Sequence, residues 1–236
     1  MARLKGVLTD PLLSVVMPVF NERTTIEEII ARVLAVPIRT ELIVVDDGST
    51  DGTRDLLTAL QQQHTFKLVF QPKNAGKGAA LRRGVQEVTG DLVVIQDADL
   101  EYSPEEFPEL IEVICSGRAD VVYGSRFLGR HRVFLFTHYL GNRLLTSITN
   151  VLYNTMLTDM ETCYKVMRTE VLRSFTLESN GFGIEPELTA KIFKRRYRVY
   201  EVPISYDGRG YEEGKKITWR DGIVALWVLV KYRFTE

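Results

Sequence analysis

Five short runs of nearly uninterrupted apolar residues, separated by stretches of helical pattern, constrain this chain more than any other feature. They cover residues 12–20, 41–46, 66–70, 92–96 and 119–123 and are rich in Val and Ile. A strand with one wet face alternates apolar and polar residues, so runs of this kind predict strands buried on both faces of a parallel sheet. Helix starts lie between them. Thr24 has Glu27 three residues on, as in a capping box, and Ser103-Pro104-Glu105-Glu106 offers an N-cap, a first-turn proline and a reciprocal glutamate. Strand and helix in alternation predict βαβ crossovers and a single open, mostly parallel α/β sheet flanked by helices.

After Arg126 the alternation stops. Residues 127–158 predict a loop and then a helix over about 139–156. A helix over 186–196, a strand over 199–206, a Gly-rich basic loop over 208–216 and a last helix over 219–233 follow. No repeat or low-complexity linker divides the 236 residues, which predicts one domain spanning 1–236. Ligands of open α/β sheets sit at the carboxyl ends of the strands. Residues 12–126 are therefore expected to bind nucleotide and metal, and 127–236 the acceptor.

Charge narrows the partners. Lys+Arg 30 against Asp+Glu 31 leaves a formal net charge of −1, so no global basic field points to nucleic acid. Cys115 and Cys163 lie far apart with no metal-ligand spacing, which fits a reduced cytoplasmic protein. The first eleven residues carry Arg3 and Lys5 but no apolar stretch, so no signal peptide is expected. The longest apolar run, 223–230, is too short to span a bilayer. Peripheral contact with the cytoplasmic face of a membrane remains open. The basic-aromatic segment 130–136 and the helix over 219–233, with Arg220, Lys231 and Arg233, have the composition of an interfacial surface, and core packing explains their apolar residues equally well.

Acidic residues fall where strands end: Asp46 and Asp47 after the second, Asp97 and Asp99 after the fourth. Each pair alone reads equally well as polar turn residues. Converging on one sheet edge, such carboxylates repel unless a cation or donor groups compensate. Asp97 and Asp99, with Glu101 continuing the spacing, can reach one hard cation, Mg²⁺ or Mn²⁺, of the kind that bridges carboxylates to phosphates. A diphosphate-bearing ligand is implied. A P-loop is not: Gly76-Lys77 is followed by Gly78, and residue 71 is Gln.

Four motifs in order carry a family resemblance: Pro18-Val19-Phe20-Asn21-Glu22, Asp46-Asp47-Gly48-Ser49, Asn74-x-Gly76-Lys77-Gly78 and Asp97-Ala98-Asp99. Together they resemble the inverting family 2 glycosyltransferases of GT-A fold, most sharply the dolichol- or polyprenyl-phosphate sugar synthases. The resemblance implies that Pro18, Phe20, Asn21, Glu22, Asp46, Asp47, Lys77, Asp97 and Ala98 bind the donor, GDP-mannose or UDP-glucose. It implies that Asp97 and Asp99 hold the metal, with Glu101 at a more variable third position. In the back half, Gly124-Ser125-Arg126 resembles a phosphate-binding turn. Asp159-Met160-Glu161-Thr162-Cys163-Tyr164-Lys165 resembles the segment Asp-x-x-(Ser/Thr)-Gly-(Phe/Tyr)-(Arg/Lys), with Cys163 in place of glycine. Arg209 and Gly214-Lys215-Lys216 resemble a loop that closes over phosphates, Lys215 standing where Ser is common. The resemblance thus gives Arg126, Thr162 and Lys215 to the acceptor phosphate, and Asp99, Arg209 and Lys216 to catalysis.

The acceptor decides the chemistry. A sugar hydroxyl needs a general base; a phosphate monoester, with a second pKa of about 6, is already mostly dianionic at neutral pH. The expected reaction is hexosyl transfer to a polyprenyl phosphate, with a membrane-anchoring partner conceivable. Glu185 and Glu187 are the base candidates if the acceptor is instead a hydroxyl, although Glu187 reads better as a helix-start residue. A non-catalytic nucleotide-sugar-binding module is the third reading.

Overall fold

The apolar runs form the inner strands of a seven-stranded sheet with the order β3-β2-β1-β4-β6-β5-β7. The computed structural model describes residues 6–133, 135–208 and 219–235; Arg209, Lys215 and Lys216 lie outside the described residues. β1 (Leu13–Val19), β2 (Thr40–Asp46), β3 (Lys67–Phe70) and β4 (Leu92–Ile95) run parallel, Val16 pairing with Ile43 on one side and Ile95 on the other. Leu13, Val15, Val16 and Met17 are fully buried, as a strand covered on both faces requires. Helices α1 (Ile26–Ala35), α2 (Thr53–Gln63), α3 (Lys77–Val85) and α4 (Phe107–Cys115) follow successive strands.

Past β4 the topology departs from simple alternation. β5 (Val121–Ser125) does not neighbour β4. Between them lies β6 (Lys165–Arg168), antiparallel to both, with Val93 opposite Met167 and Met167 opposite Val121. The sequence reading contained neither β6 nor the short α6 (Thr169–Arg173) after it. Four residues bounded by Lys165 and Arg168 carry no strand signal, yet all four are buried. The insertion matters for function: the N-terminal end of an antiparallel strand lies at the same sheet edge as the carboxyl ends of its parallel neighbours. Residues 159–165 are thereby delivered to the edge where β1, β2, β4 and β5 end.

The rest of the back half is α5 (Phe136–Tyr153), α7 (Ile184–Lys194), β7 (Val199–Pro203), parallel to β5, and α8 (Trp219–Phe234). α5 starts and stops three residues before the expected bounds and ends at Asn154 in the left-handed region (φ 51°), a residue type that tolerates it. The two expected caps are also corrected. α1 begins after Thr25, whose hydroxyl donates to the Ala98 carbonyl at 2.7 Å rather than forming a capping box with Thr24 and Glu27. Ser103 precedes a 3₁₀ turn, Pro104–Glu106, makes no cap bond, and accepts from Arg32 Nη2 at 3.3 Å.

Candidate active site

The ends of β1 and β2 are tied into one unit by side chain-to-backbone hydrogen bonds. Asn21 sits at φ 53°, its amide oxygen accepts from Thr50 N at 2.8 Å, and its own N–H donates to Ser49 Oγ at 2.9 Å. Glu22 N donates to Thr53 Oγ1 at 3.1 Å. Pro18 pairs with Val45 in the β1–β2 register, and Phe20 is half-buried beyond it. Asp46 is sealed from solvent and accepts from Gly48 N at 3.1 Å and Arg54 Nε at 2.6 Å. Asp47 accepts from Gln71 Nε2 at 2.7 Å, Ala75 N at 2.9 Å and Gly76 N at 2.7 Å. Burial raises the Asp47 pKa while those backbone donors oppose the rise. Gly48 (φ 76°) is obligatory, because a Cβ there would stand 2.6 Å from the Lys73–Asn74 backbone. Asp46 and Asp47 therefore shape the loops around a ligand as much as they offer oxygens to one.

The end of β4 carries the acidic pair on a strained turn. Leu100, between Asp99 and Glu101, has φ 64°, unusual for a branched residue and typical of functional sites. Ala98 is buried, and Asp97 and Asp99 are partly exposed. Lys77, the first residue of α3, places its Nζ 2.8 Å from Asp97 and 3.2 Å from Glu185. Burial works against the ammonium, but Asp97, Cys163 and Glu185 together hold its pKa well above the ordinary lysine value. Glu101 turns toward the back half, where its carboxylate accepts from Tyr206 Oη at 2.7 Å. Among the described residues no three acids, histidines or cysteines gather as a metal cage. The structure thus does not bring Glu101 together with Asp97 and Asp99. Two all-oxygen ligands at a sheet edge fit a hard cation that completes its shell from a diphosphate.

The back half contributes buried ion pairs. Arg126, just past β5, donates from Nε and Nη2 to the two Asp159 oxygens at 2.7 and 2.8 Å, and its backbone N–H adds a third bond at 3.1 Å. The Tyr206 ring covers the guanidinium at 5.1 Å. Despite burial, Arg126 holds the Asp159 carboxyl below its usual range. Lys165 is fully buried and donates to the Thr162 carbonyl and to Glu185 Oε2. A continuous line of charge, Asp97–Lys77–Glu185–Lys165, crosses the sheet edge from front half to back. Glu187 belongs elsewhere. It accepts from the Glu178 and Ser179 N–H groups at 2.8 and 2.7 Å and pairs with Lys191 at 2.7 Å, a clamp on its own helix start. Cys163 packs its Sγ 3.7 Å from Lys77 Nζ and 3.5 Å from the Ile95 carbonyl, and its φ is not positive, so replacing glycine costs no backbone strain.

Sequence reasoning missed the Asp159 and Lys165 partnerships and the position of Glu161, which lies among Lys165, Glu185, Arg126 and Asp159. Arg126 and Asp159 are 33 residues apart and Lys165 and Glu185 are 20 apart, and no periodicity links either pair. A lysine inside a four-residue buried strand was the one available hint.

A mostly parallel seven-stranded sheet, with an acid pair at the end of a central strand, Lys77 beside it and an antiparallel strand inserted next to it, has the GT-A fold. The chain belongs to glycosyl transferase family 2, whose sequence profile matches residues 14–176. It is 32% identical over 215 residues to a dolichol-phosphate mannosyltransferase of Pyrococcus furiosus, the match covering 86% of this chain and 58% of that protein. It is 30% identical to a polyprenol monophosphomannose synthase of Mycolicibacterium smegmatis, covering 83% and 77%. The chain therefore spans little more than half the length of the Pyrococcus relative. The fold matches a glucosyl-3-phosphoglycerate synthase of Mycobacterium tuberculosis, solved with Mn²⁺, uridine diphosphate and phosphoglyceric acid, at a TM-score of 0.75 and 23% identity, covering 96% of this chain and 80% of that one.

Proposed function

We propose that this chain transfers mannose or glucose, with inversion, from GDP-mannose or UDP-glucose to a polyprenyl phosphate such as dolichyl or undecaprenyl phosphate. The observation that carries the choice of acceptor is the state of the two carboxylates first available as bases. Glu185 is bonded to Lys165 and 3.2 Å from Lys77, and Glu187 is locked by Lys191 and two backbone N–H groups. Neither is poised to deprotonate a hydroxyl, and a phosphate acceptor needs no base. Two relatives named for dolichol- and polyprenol-linked mannose transfer support the same reading.

In this reading Asp97 and Asp99 hold Mg²⁺ or Mn²⁺, which would neutralise charge on the leaving nucleotide diphosphate. Lys77 adds a fixed positive charge beside Asp97, and Arg126, oriented by Asp159 and Tyr206, faces the acceptor phosphate together with the Thr162 hydroxyl. The acceptor oxygen attacks the anomeric carbon opposite the departing diphosphate, so one C–O bond forms as the other breaks. Arg209, Lys215 and Lys216 keep their motif-based role in closing the cationic pocket. Glu101 serves better as an anchor for Tyr206 than as a third metal ligand.

Lipid access is supported by exposed apolar stripes. Phe136, Leu140 and Leu144 recur every four residues on α5, and Ile223, Trp227, Val230 and Phe234 line α8, with Lys231 and Arg233 nearby. The two helices pack together, Tyr153 Oη donating to the Leu229 carbonyl at 2.7 Å. No described helix is long and apolar enough to cross a membrane. These stripes support the reading of peripheral attachment at the cytoplasmic face of a membrane, alone or through an anchoring partner.

One observation favours a sugar-hydroxyl acceptor instead: burial pushes the Glu161 carboxyl up to about 7, a value suited to a general base. The deciding experiment crosses radiolabelled nucleotide sugars with polyprenyl phosphates in Mn²⁺ or Mg²⁺ and counts sugar in the lipid phase. Label in lipid from at least one donor is expected. Its absence for every prenyl phosphate, with transfer to a saccharide or glycolipid hydroxyl, would move the assignment to the second acceptor class.

A further inference from the structure

Two buried side-chain oxygens on adjacent residues of this site have no hydrogen-bond partner among the described residues, Glu161 Oε1 and Thr162 Oγ1, while Glu185 Oε1 beside them faces Lys77 Nζ at 3.2 Å. Thr162 is fully buried and Glu185 is 4% exposed. A native interior leaves few polar atoms unpaired, and a cluster of them is a request for a ligand or ordered water. Both oxygens lie on the segment that Lys165 closes through the Thr162 carbonyl. Lys165 Nζ donates to the Thr162 carbonyl and to Glu185 Oε2, and it is the cation with the strongest influence on Glu161.

Their placement between two charged stations gives the cluster its meaning. On one side Glu185 reaches Asp97 through Lys77. On the other, Glu161 adjoins the Arg126–Asp159 pair. If the diphosphate sits at Asp97, the group it carries extends past Lys77 and Glu185 toward Glu161. That group is the hexose, a ring of hydroxyls, each able to donate to one carboxyl oxygen.

We infer that Glu161 reads a hydroxyl of the transferred hexose and is a specificity-determining residue for the donor sugar, with Glu185, held between Lys77 and Lys165, beside it. Thr162 Oγ1 keeps the role toward the acceptor phosphate given above. The motif that aligns this segment with its family leaves residue 161 unspecified, so the acid there is a property of this chain rather than of the motif. With the carboxyl titrating near neutrality, Glu161 can present an acceptor oxygen or, protonated, a donor, to whichever sugar oxygen faces it. Lys165, Glu185, Arg126 and Asp159 are the charged groups that set this balance.

The inference rests on the nucleotide-sugar reading but not on the acceptor. It is tested by calorimetry of the whole chain with Mn²⁺, using GDP-mannose, UDP-glucose, their singly deoxygenated analogues and the nucleoside diphosphates alone. On the wild-type protein, removing one particular hydroxyl is expected to weaken binding on the order of 10- to 100-fold, the range for a hydrogen bond to a charged group. In Glu161→Ala that penalty should vanish, with the nucleoside diphosphate affinity unchanged. Glu161→Gln, which preserves shape, should keep part of it and guards against a folding artefact. Undiminished discrimination in both variants overturns the inference, including the case where only turnover falls, which assigns Glu161 as a base. Failure of every nucleotide sugar to outbind its diphosphate on the wild-type protein sinks the donor reading and this inference with it. Normal donor discrimination without transfer to prenyl phosphate sinks only the acceptor assignment.

Discussion

Front and back halves of the sheet edge hold their carboxylates in different ways. In the front half the partners include backbone N–H groups: Asp46 takes Gly48 N, Asp47 takes Ala75 and Gly76 N from the loop before α3, and Asp51 takes Thr53 N at 3.0 Å. In the back half the partners are buried cations, Arg126 for Asp159, Lys165 for Glu185 and Lys191 for Glu187. Backbone donors are fixed by turns and cost little to bring together, whereas a buried ion pair must overcome the desolvation of both charges. The difference teaches that the front edge is shaped largely by backbone turns, and the back edge by charges such as Arg126–Asp159 and Lys165–Glu185 that only the complete fold assembles.

The sharpest way to break that comparison is to remove one cation. Arg126→Ala leaves Asp159 buried without its partner and should destabilise the protein by about 3–5 kcal/mol, measured by urea unfolding. A loss below about 1 kcal/mol, the value of an exposed pair, would mean that water reaches Asp159 and that the back half is no different from the front. Arg126→Ala combined with Asp159→Asn should recover much of the stability. In that background the KM for prenyl phosphate should remain raised while the KM for nucleotide sugar is nearly unchanged, which separates positioning from folding.

Next in size is an effect on rate. Asp99→Asn should lower kcat by about two to three orders of magnitude with little change in melting temperature, a loss comparable to that of an electrostatic stabiliser at a reaction centre. EDTA should abolish turnover of the wild-type enzyme, and added Mn²⁺ or Mg²⁺ should restore it. Full activity in EDTA would exclude a metal role for Asp97 and Asp99.

A smaller loss is expected where the backbone is the partner. Asp51→Ala removes an acceptor for Thr53 N at the start of α2 and should cost about 1 kcal/mol, the usual net value of one hydrogen bond. The result sharpens the contrast if it stays well below that for Arg126→Ala in the same urea series.

The smallest effect concerns pH. The Glu161 carboxyl is raised in the folded protein from 4.5 to about 7, chiefly by burial, with Glu185 and Asp159 adding to the rise and Lys165 and Arg126 opposing it. A carboxyl raised on folding binds more protons in the native state, so its contribution is full below the unfolded pKa and is lost as pH rises through the folded one. Glu161→Gln should therefore gain on the wild-type protein between pH 4.5 and 7. The gain in Tm at pH 8 should be about 2–4 °C, since the group is partly exposed. A difference in Tm that does not change with pH would mean that Glu161 titrates as an ordinary surface acid.

What the sequence determined by itself was the front half of the sheet and where its acidic strand ends fall. Continuous Val- and Ile-rich runs followed by helical patterns can bury themselves only as parallel strands under helices, so β1 to β5 stood within a few residues of where they were expected. Asp46, Asp47, Asp97 and Asp99 could be located because a strand end is a local event. The tertiary structure alone decided three things. It inserted β6 between β4 and β5, which turned the Asp159-to-Lys165 segment toward the edge where β1, β2 and β4 end. It matched Arg126 with Asp159 and Lys165 with Glu185 across many intervening residues, and it turned Glu101 to Tyr206. It also left Glu161 Oε1 buried without a hydrogen-bond partner among the described residues. Burial and long-range pairing depend on which elements become neighbours in space, and four residues of strand carry too little periodicity to announce that neighbourhood in advance.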